Sequence, residues 1–116
     1  MSRPNLKEEI TQLHANICSA ISDPRRILLL YEISEQPKNV SSLAESIEIS
    51  QPAASRHLKV LHERGLVTQE RKGANVIYSI ADNRLIDALD LLRDVLYDRL
   101  AQRAELLNNN QDRKEG

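Results

Sequence analysis

The segment Ser50–Leu61, with the sequence SQPAASRHLKVL, constrains the fold more than any other part of the chain. Ala54, Leu58 and Leu61 recur at the spacing of one helical face, and the polar and basic side chains fall on the opposite face. Ser50 belongs to the residue types that cap helix N-termini. The segment is therefore predicted to be a short helix with a basic outer face.

A β-hairpin is predicted directly after this helix. Gly65 ends the helix, and two strand-like runs follow, Leu66–Arg71 and Val76–Ile80, joined by the turn-compatible residues Lys72–Asn75. Residues Ala54–Gly73 hold five cations and two anions in a chain whose net charge is −1. A basic helix followed by a hairpin with a basic tip is typical of a helix that enters a DNA groove beside a wing.

Three helices are predicted before this motif and one after the hairpin. Asn5, Asp23 and Ser41 are suited to cap the first, second and third helices, and the first helix is predicted to end near Ser22. The apolar run Ile27–Tyr31 places the second helix in the middle of the domain. The predicted fold is mainly α with a small β-hairpin, a winged helix-turn-helix in the order α-α-α-α-β-β-α.

The first and last helices each carry an apolar stripe that a domain of this size leaves uncovered. The simplest partner for two such stripes is a second copy of the chain. The predicted dimer interface consists of Leu6, Ile10, Leu13, Ile17, Leu89, Leu92 and Leu96. Packing of the two stripes against each other within one chain is the alternative.

Length and composition narrow the remaining choices. A chain of 116 residues favours one domain, predicted over residues 1–107, with a polar and disordered tail over 108–116. The chain has no Trp or Phe and three Tyr, so stacking on single-stranded bases is not expected as the main binding mode. No apolar run is long enough to span a bilayer, and no secretory signal is visible. A single cysteine excludes an intrachain disulfide, and we expect a cytoplasmic protein.

The sequence resembles the arsenic-repressor (ArsR/SmtB) family of winged-helix regulators over roughly Ile17–Leu96. The most specific part of the resemblance is Ser50–Leu61. The other segments that carry it are Ser22–Ile27, Val40–Ala44, Gly65–Val67 and Tyr78–Ile80. The resemblance implies a homodimer through the first and last helices, binding to a double-stranded operator, and release by an effector.

The outer face of the predicted helix offers groups that can read base edges. Gln51 can bond adenine and Arg56 can bond guanine, each through two hydrogen bonds. Phosphate contacts are expected from Ser50 at the helix N-terminus and from the cations around it. The predicted DNA-contacting set is Ser50, Gln51, Ala53, Ser55, Arg56, His57, Lys59, Arg71 and Lys72. Of these, His57 adjoins the inward face, where a histidine is more often a hydrogen-bonded structural residue than a base reader.

Neither a metal nor another cofactor is predicted. A cysteine-rich metal site would need thiolates around residues 39–42, where Asn39, Val40, Ser41 and Ser42 stand instead. The last helix carries aspartates but no histidine, so the ligand set of a transition-metal site is absent from it. We interpret the aspartates as a solvated face.

Cys18 is the remaining candidate for sensing, with His14 one helical turn before it. Cys18 is either a small buried core or interface residue or a reactive thiol whose thiolate a charged His14 would favour. A His-Cys pair from each of two subunits would also supply four ligands for a metal across the dimer axis. These alternatives stay open at the level of sequence.

The sequence therefore favours a sequence-specific regulator of transcription that binds double-stranded DNA, a homodimeric repressor released by an unidentified effector. The alternatives are a thiol-responsive regulator that uses Cys18 and a winged-helix module that binds proteins. An enzyme is not expected, because no convergent acid, base and nucleophile are found and no glycine-rich phosphate loop is present.

Overall fold

The computed structural model describes Arg3 and residues 5–115, with side chains described as far as residue 109. Met1, Ser2, Pro4 and Gly116, which belong to the ranges predicted for the domain and the tail, lie outside the described residues. The elements are α1 (Leu6–Leu13), a π-helical turn (His14–Cys18), α2 (Pro24–Glu35), β1 (Lys38–Asn39), α3 (Val40–Ser46), α4 (Gln51–Glu63), β2 (Val67–Lys72), β3 (Asn75–Ile80) and α5 (Arg84–Glu115). They form two compact units, Met1–Asn83 and Arg84–Gly116.

Side-chain caps fix the starts of four helices in the first unit. The predicted caps at Asn5, Asp23 and Ser50 are confirmed, since each side chain accepts a hydrogen bond from a backbone N–H in the first turn of its helix. The predicted cap at Ser41 is wrong. Asn39 caps α3 instead, because its Oδ1 accepts from Ser42 N at 2.9 Å.

The sheet has three strands rather than the predicted two. β1 pairs with β3 in antiparallel register, with Lys38 opposite Tyr78 and Asn39 opposite Ile77, so that the strand order is β1-β3-β2. The Lys38 ammonium bonds Glu32 Oε2 at 2.7 Å and the Glu32 carbonyl at 3.2 Å, which anchors the short strand to the end of α2. A two-residue strand shows no alternation of polar and apolar residues, so sequence reasoning missed it.

The core of the first unit lies between α2, α3, α4 and the base of the sheet. Its largest fully buried side chains are Leu29, Leu30, Ile33, Leu43, Leu58, Leu61 and Val67. This confirms the central position predicted for α2, although its Leu28 side chain is 51% exposed.

The first helix differs from the continuous helix predicted to end near Ser22. After Leu13 the hydrogen bonding changes, and Ser19 N donates to the His14 carbonyl at 2.9 Å, five residues back. The Ala15 carbonyl instead accepts from the Ser19 hydroxyl at 2.6 Å and from Arg64 Nη1 at 2.7 Å. An arginine at the end of α4 thus satisfies a carbonyl of the π-helical turn.

The second unit is the long helix α5 of 32 residues. Helix α5 continues to Glu115, into residues 108–116, and the disorder predicted for that tail stays a prediction. Once a helix has formed, each added residue gains one backbone hydrogen bond for the conformational entropy that it loses. Polar residues can therefore prolong α5 without packing against other parts of the protein. No helix in the described part of the chain combines the length and apolar character needed to cross a membrane. A single domain over 1–107 stays a prediction.

Candidate nucleic-acid interface

Helix α4 presents the face that the sequence predicts. Ala54, Leu58 and Leu61 are fully buried, so the opposite side of the helix must face outward. The side chains on that opposite side are exposed, and they are Gln51, Ser55, Arg56 and Lys59. The three buried side chains therefore fix the orientation of the exposed polar face of α4.

The N-terminus of α4 is ordered by Ser50. Its Oγ accepts from Ala53 N at 3.2 Å, which leaves the hydroxyl hydrogen free for a further acceptor. Pro52 has no N–H and the Ala53 N–H is bonded to Ser50, so this terminus offers an anion such as a phosphate the Gln51 N–H, the Ser50 hydroxyl and the helix dipole. Ala53 is half-buried and brings only a methyl group, which suits apolar contact with a thymine methyl.

Gln51 is tethered to the neighbouring helix. Its Nε2 donates to Ser41 Oγ at 2.7 Å, which joins the first turn of α4 to the first turn of α3. Sequence reasoning treated Ser41 as a helix cap and did not identify this role. Two exposed polar residues ten positions apart carry no local signal for such a bond.

His57 is held on its inner side by Arg26 of α2. Its Nδ1 lies 3.4 Å from Arg26 Nη1, and a guanidinium can only donate, so Nδ1 accepts and the ring proton lies on Nε2. Burial lowers the pKa of His57, the nearby Arg25, Arg26 and Arg56 lower it further, and Asp23 opposes these effects. His57 is therefore a neutral link between α2 and α4.

Arg26 and its neighbour Arg25 both act within the chain. Arg26 donates to the carbonyls of Ser19 and Ala20 as well as to His57, which ties α4 to the segment after the π-helical turn. Arg25 donates to Asp23, with Nη2 at 3.0 Å from Oδ2, and these hydrogen bonds lower the pKa of the Asp23 carboxyl to about 2. The exposed cations of the predicted DNA-contacting set lie on α4 and the hairpin.

The hairpin of β2 and β3 forms a wing. Lys72 pairs with Asn75, so Gly73 and Ala74 make a two-residue loop, and Gly73 has a φ of 64°. A positive φ at the first loop residue suits the type II′ turn, in which glycine is preferred. Arg71 and Lys72 are exposed at this tip, as predicted.

The predicted dimer residues are mostly exposed. Leu6, Ile10 and Leu13 of α1 are 73%, 51% and 43% exposed, and Ile17 is half-buried. On α5, Leu92 and Leu96 are 60% and 57% exposed. Leu89 is only 4% exposed, so it has little surface left for a partner. Six further large apolar residues of α5 are exposed and lie outside the predicted interface set: Leu91, Val95, Tyr97, Leu100, Leu106 and Leu107.

Cys18 and His14 are the last and first residues of the π-helical turn, and both are exposed. A buried core position for Cys18 within the chain is therefore excluded, whereas an interface position and a reactive thiol both remain. Among the residues that the structure describes, no three His, Cys, Asp or Glu side chains come together in an arrangement that could hold a metal ion.

Comparison with known proteins shows the family of this chain. Residues 23–69, which run from the cap of α2 to the middle of β2, match the model described as "Bacterial regulatory protein, arsR family". The nodulation protein NolR of Rhizobium meliloti is 30% identical over 95 residues, which cover 82% of this chain and 78% of NolR. This chain belongs to the arsR family. The predicted family is thereby confirmed.

Two further members or neighbours bear on the fold. The HTH-type transcriptional repressor SmtB of Mycobacterium tuberculosis is 35% identical over 77 residues, 66% of this chain and 57% of SmtB. The homodimeric winged helix-turn-helix DNA-binding domain of a Mycobacterium bovis protein superposes with a TM-score of 0.73 at 23% identity, covering 85% of this chain and 92% of that one. The predicted winged helix-turn-helix fold is confirmed. The chain spans about three fifths of the length of the first curated relatives that it matches.

Proposed function

We propose that this arsR-family chain is a sequence-specific, double-stranded-DNA-binding transcriptional repressor that acts as a homodimer. The observation that carries the proposal is the outward face of α4, which three fully buried side chains hold in a fixed orientation. Helix α4 is the second helix of the helix-turn-helix, the position from which such folds read the major groove.

Base reading is assigned to the exposed donors and acceptors of α4. Arg56 offers the two-pronged donor that guanine O6 and N7 accept, and Gln51 offers the donor and acceptor that adenine needs. Each such contact discriminates against a wrong base by about 1–3 kcal/mol. Ser55, exposed one residue before Arg56, can bond either a base edge or a phosphate.

Phosphate contacts are assigned to Ser50, Lys59, Arg71 and Lys72. The last two lie at the exposed tip of the wing, where a flexible cation can follow the DNA backbone. Contacts of this kind position the protein without specifying a sequence, and each removed contact reduces the dependence of binding on salt. His57 contributes through its bond to Arg26, and its Nε2–H can donate to a phosphate.

The homodimer is supported by the exposed apolar side chains of α1 and α5. Three large aliphatic side chains are exposed on α1 and seven on the described part of α5. They would be costly to leave in water, and a second copy of the chain would cover them symmetrically. Two α4 helices in such a dimer would contact a pseudo-palindrome with half-sites about 34–36 Å apart.

We infer repression and release from DNA from the relatives of this chain, and not from the geometry of α4. The relatives from M. tuberculosis and from Bacillus subtilis are named as repressors, the latter of an arsenical resistance operon. An effector would have to bind two conformations of the dimer with different affinity to release DNA. The exposure of Cys18 supports a thiol-responsive form of this regulation as the second candidate. A bacterial regulator of this kind would work in the cytoplasm.

Selection of duplexes from a random pool, with and without a reducing agent, tests the proposal. A selected consensus with two symmetric half-sites about one helical turn apart is the expected result. Recovery of no consensus would exclude sequence-specific reading and favour binding to DNA shape or to proteins. Equal operator affinity of reduced, oxidised and Cys18→Ser protein would remove the thiol from regulation.

A further inference from the structure

The bond between Gln51 and Ser41 is a side-chain contact between the two helices of the helix-turn-helix. Gln51 is the first residue of α4, and Ser41 lies in the first turn of α3. Gln51 Nε2 and Ser41 Oγ are 2.7 Å apart, although both residues are exposed. A bond this short at the surface restricts a side chain that would otherwise sample several rotamers.

Ser41 has no part in capping its own helix. The cap of α3 is Asn39, whose side chain accepts from Ser42 N. The Ser41 hydroxyl is thereby left free to accept from Gln51. Its position is set by the backbone of α3, which the fully buried Leu43 holds against the core.

The geometry leaves Gln51 able to read a base while it is held. A glutamine amide has two N–H donors and a carbonyl oxygen. One N–H is bonded to Ser41, so the second N–H and Oε1 remain for the pair of bonds to adenine N7 and N6. A long flexible side chain that is already restrained loses less conformational entropy when it binds.

We propose that Ser41 is a positioning residue that sets the sequence preference of Gln51 from α3. Ser41 acts through Gln51 and needs no contact with DNA of its own. The inference rests on the proposed function, because it requires that α4 read base edges.

The test uses the full chain and a duplex that the wild-type protein selects from a random pool. Affinity is measured for this duplex and for single base-pair variants of it, with wild type, Gln51→Ala, Ser41→Ala and the double variant. Ser41→Ala is expected to reduce discrimination roughly three- to tenfold at the same base pair that Gln51→Ala affects. The double variant is expected to match Gln51→Ala, because the two residues act as one unit.

Two further variants separate positioning from a structural role. Ser42→Ala removes the neighbouring exposed hydroxyl and is expected to leave discrimination unchanged. Ser41→Thr retains the hydroxyl and is expected to restore most of the preference. Thermal unfolding of Ser41→Ala should stay close to wild type, since alanine is a good helix former.

The outcomes distinguish this inference from the proposed function. If wild type shows no base preference, the proposed function fails. If Gln51→Ala abolishes discrimination at one base pair and Ser41→Ala does not, the proposed function stands and the role of Ser41 is refuted. Uniform weakening of all duplexes by Ser41→Ala, or additive losses in the double variant, would also overturn it.

Discussion

Helix α4 and the wing both present basic side chains suited to DNA, but they are attached to the core in different ways. Helix α4 has three fully buried side chains, a serine cap at its start and the Arg26–His57 link along its side. In β2, only Val67 at the base is buried, and every residue from Thr68 to the tip is exposed. The helix is fixed along its length, whereas the outer strand β2 of the wing is buried only at its base, and the core-side strand β3 is half-buried from Val76 to Ile80.

This difference matches what each contact requires. A hydrogen bond to a base edge depends on both distance and angle, so the residues that make it need a rigid support. A cation near a phosphate gains energy over a broader range of positions, because the attraction is Coulombic. We infer that α4 provides specificity and that the wing provides affinity without sequence preference.

The largest expected effect comes from loosening α4. Leu58→Ala removes a fully buried side chain and should lower the free energy of unfolding by about 2–5 kcal/mol. Leu28→Ala is the matched control, because Leu28 is 51% exposed and its loss should cost less than about 1 kcal/mol. Chemical denaturation checks both values, and similar losses for the two variants would mean that α4 is not anchored as described.

Arg56→Ala should reduce sequence preference while the fold is retained. The expected loss is about 1–3 kcal/mol of discrimination at one base pair in each half-site, because alanine cannot donate to guanine. Titration of the selected duplex against a random duplex measures it. An equal loss on both duplexes would assign Arg56 to the phosphate backbone instead.

Lys72→Ala should weaken binding to every duplex by a similar factor. The slope of log affinity against log salt should fall by about 0.9 for each wing that contacts one phosphate. Titrations at several salt concentrations check this, with Lys7→Ala on the exposed surface of α1 as the control cation. Loss of preference between selected and random duplexes in Lys72→Ala would contradict the division between helix and wing.

The ends of α3 and α4 offer a smaller effect on stability. Both helices end with a residue in the left-handed region, Glu48 with φ 58° after α3 and Gly65 with φ 76° after α4. Ile49 N bonds the Ala44 carbonyl at 3.0 Å, and Leu66 N bonds the Leu61 carbonyl at 2.9 Å, so the capping pattern is the same.

Glu48→Gly is expected to stabilise the chain by about 0.5–1 kcal/mol, because glycine adopts this conformation without strain. Gly65→Ala should destabilise it by about 1 kcal/mol, and backbone strain is the cause, since no atom lies within 4 Å of the added Cβ. Thermal unfolding measures both changes. Destabilisation by Glu48→Gly would show that its side chain contributes more than the strain costs.

The smallest effect expected is a dependence of stability on pH through His57. The pKa of His57 is lowered in the folded chain, so the unfolded chain binds more protons as the pH falls through about 6.5. The contribution of neutral His57 to the free energy of unfolding should therefore be fully present above that pH and decrease toward pH 5. In His57→Asn, whose side chain can still accept from Arg26, this part of the slope should disappear, and an unchanged slope would exclude His57 as its source.

Local signals in the sequence predicted much of this architecture. The caps at Asn5, Asp23 and Ser50 depend on a residue and its own next few neighbours, so each is visible without the fold. The buried and exposed faces of α4 follow from the spacing of Ala54, Leu58 and Leu61. The turn-compatible residues Lys72–Asn75 likewise predict the turn of the wing.

The features that were missed depend on partners far away in the chain. The strand β1 exists because Lys38 and Asn39 pair with β3. Within the π-helical turn, the Ala15 carbonyl accepts a hydrogen bond from Arg64, 49 residues away. The Ser41–Gln51 bond requires the first turns of α3 and α4 to approach each other. Leu89 lies on the predicted stripe, yet periodicity cannot show that its side chain is already covered.

Methylation interference at guanine N7 tests the central claim most directly. The selected duplex is methylated sparsely, and the bound fraction is compared with the free fraction for wild type and Arg56→Ala. We predict that methylation interferes at guanines in two half-sites about one helical turn apart for wild type, and that this interference disappears in Arg56→Ala. Tight, sequence-selective binding by wild type without interference at any major-groove N7 would contradict the assignment of α4 as the reading helix.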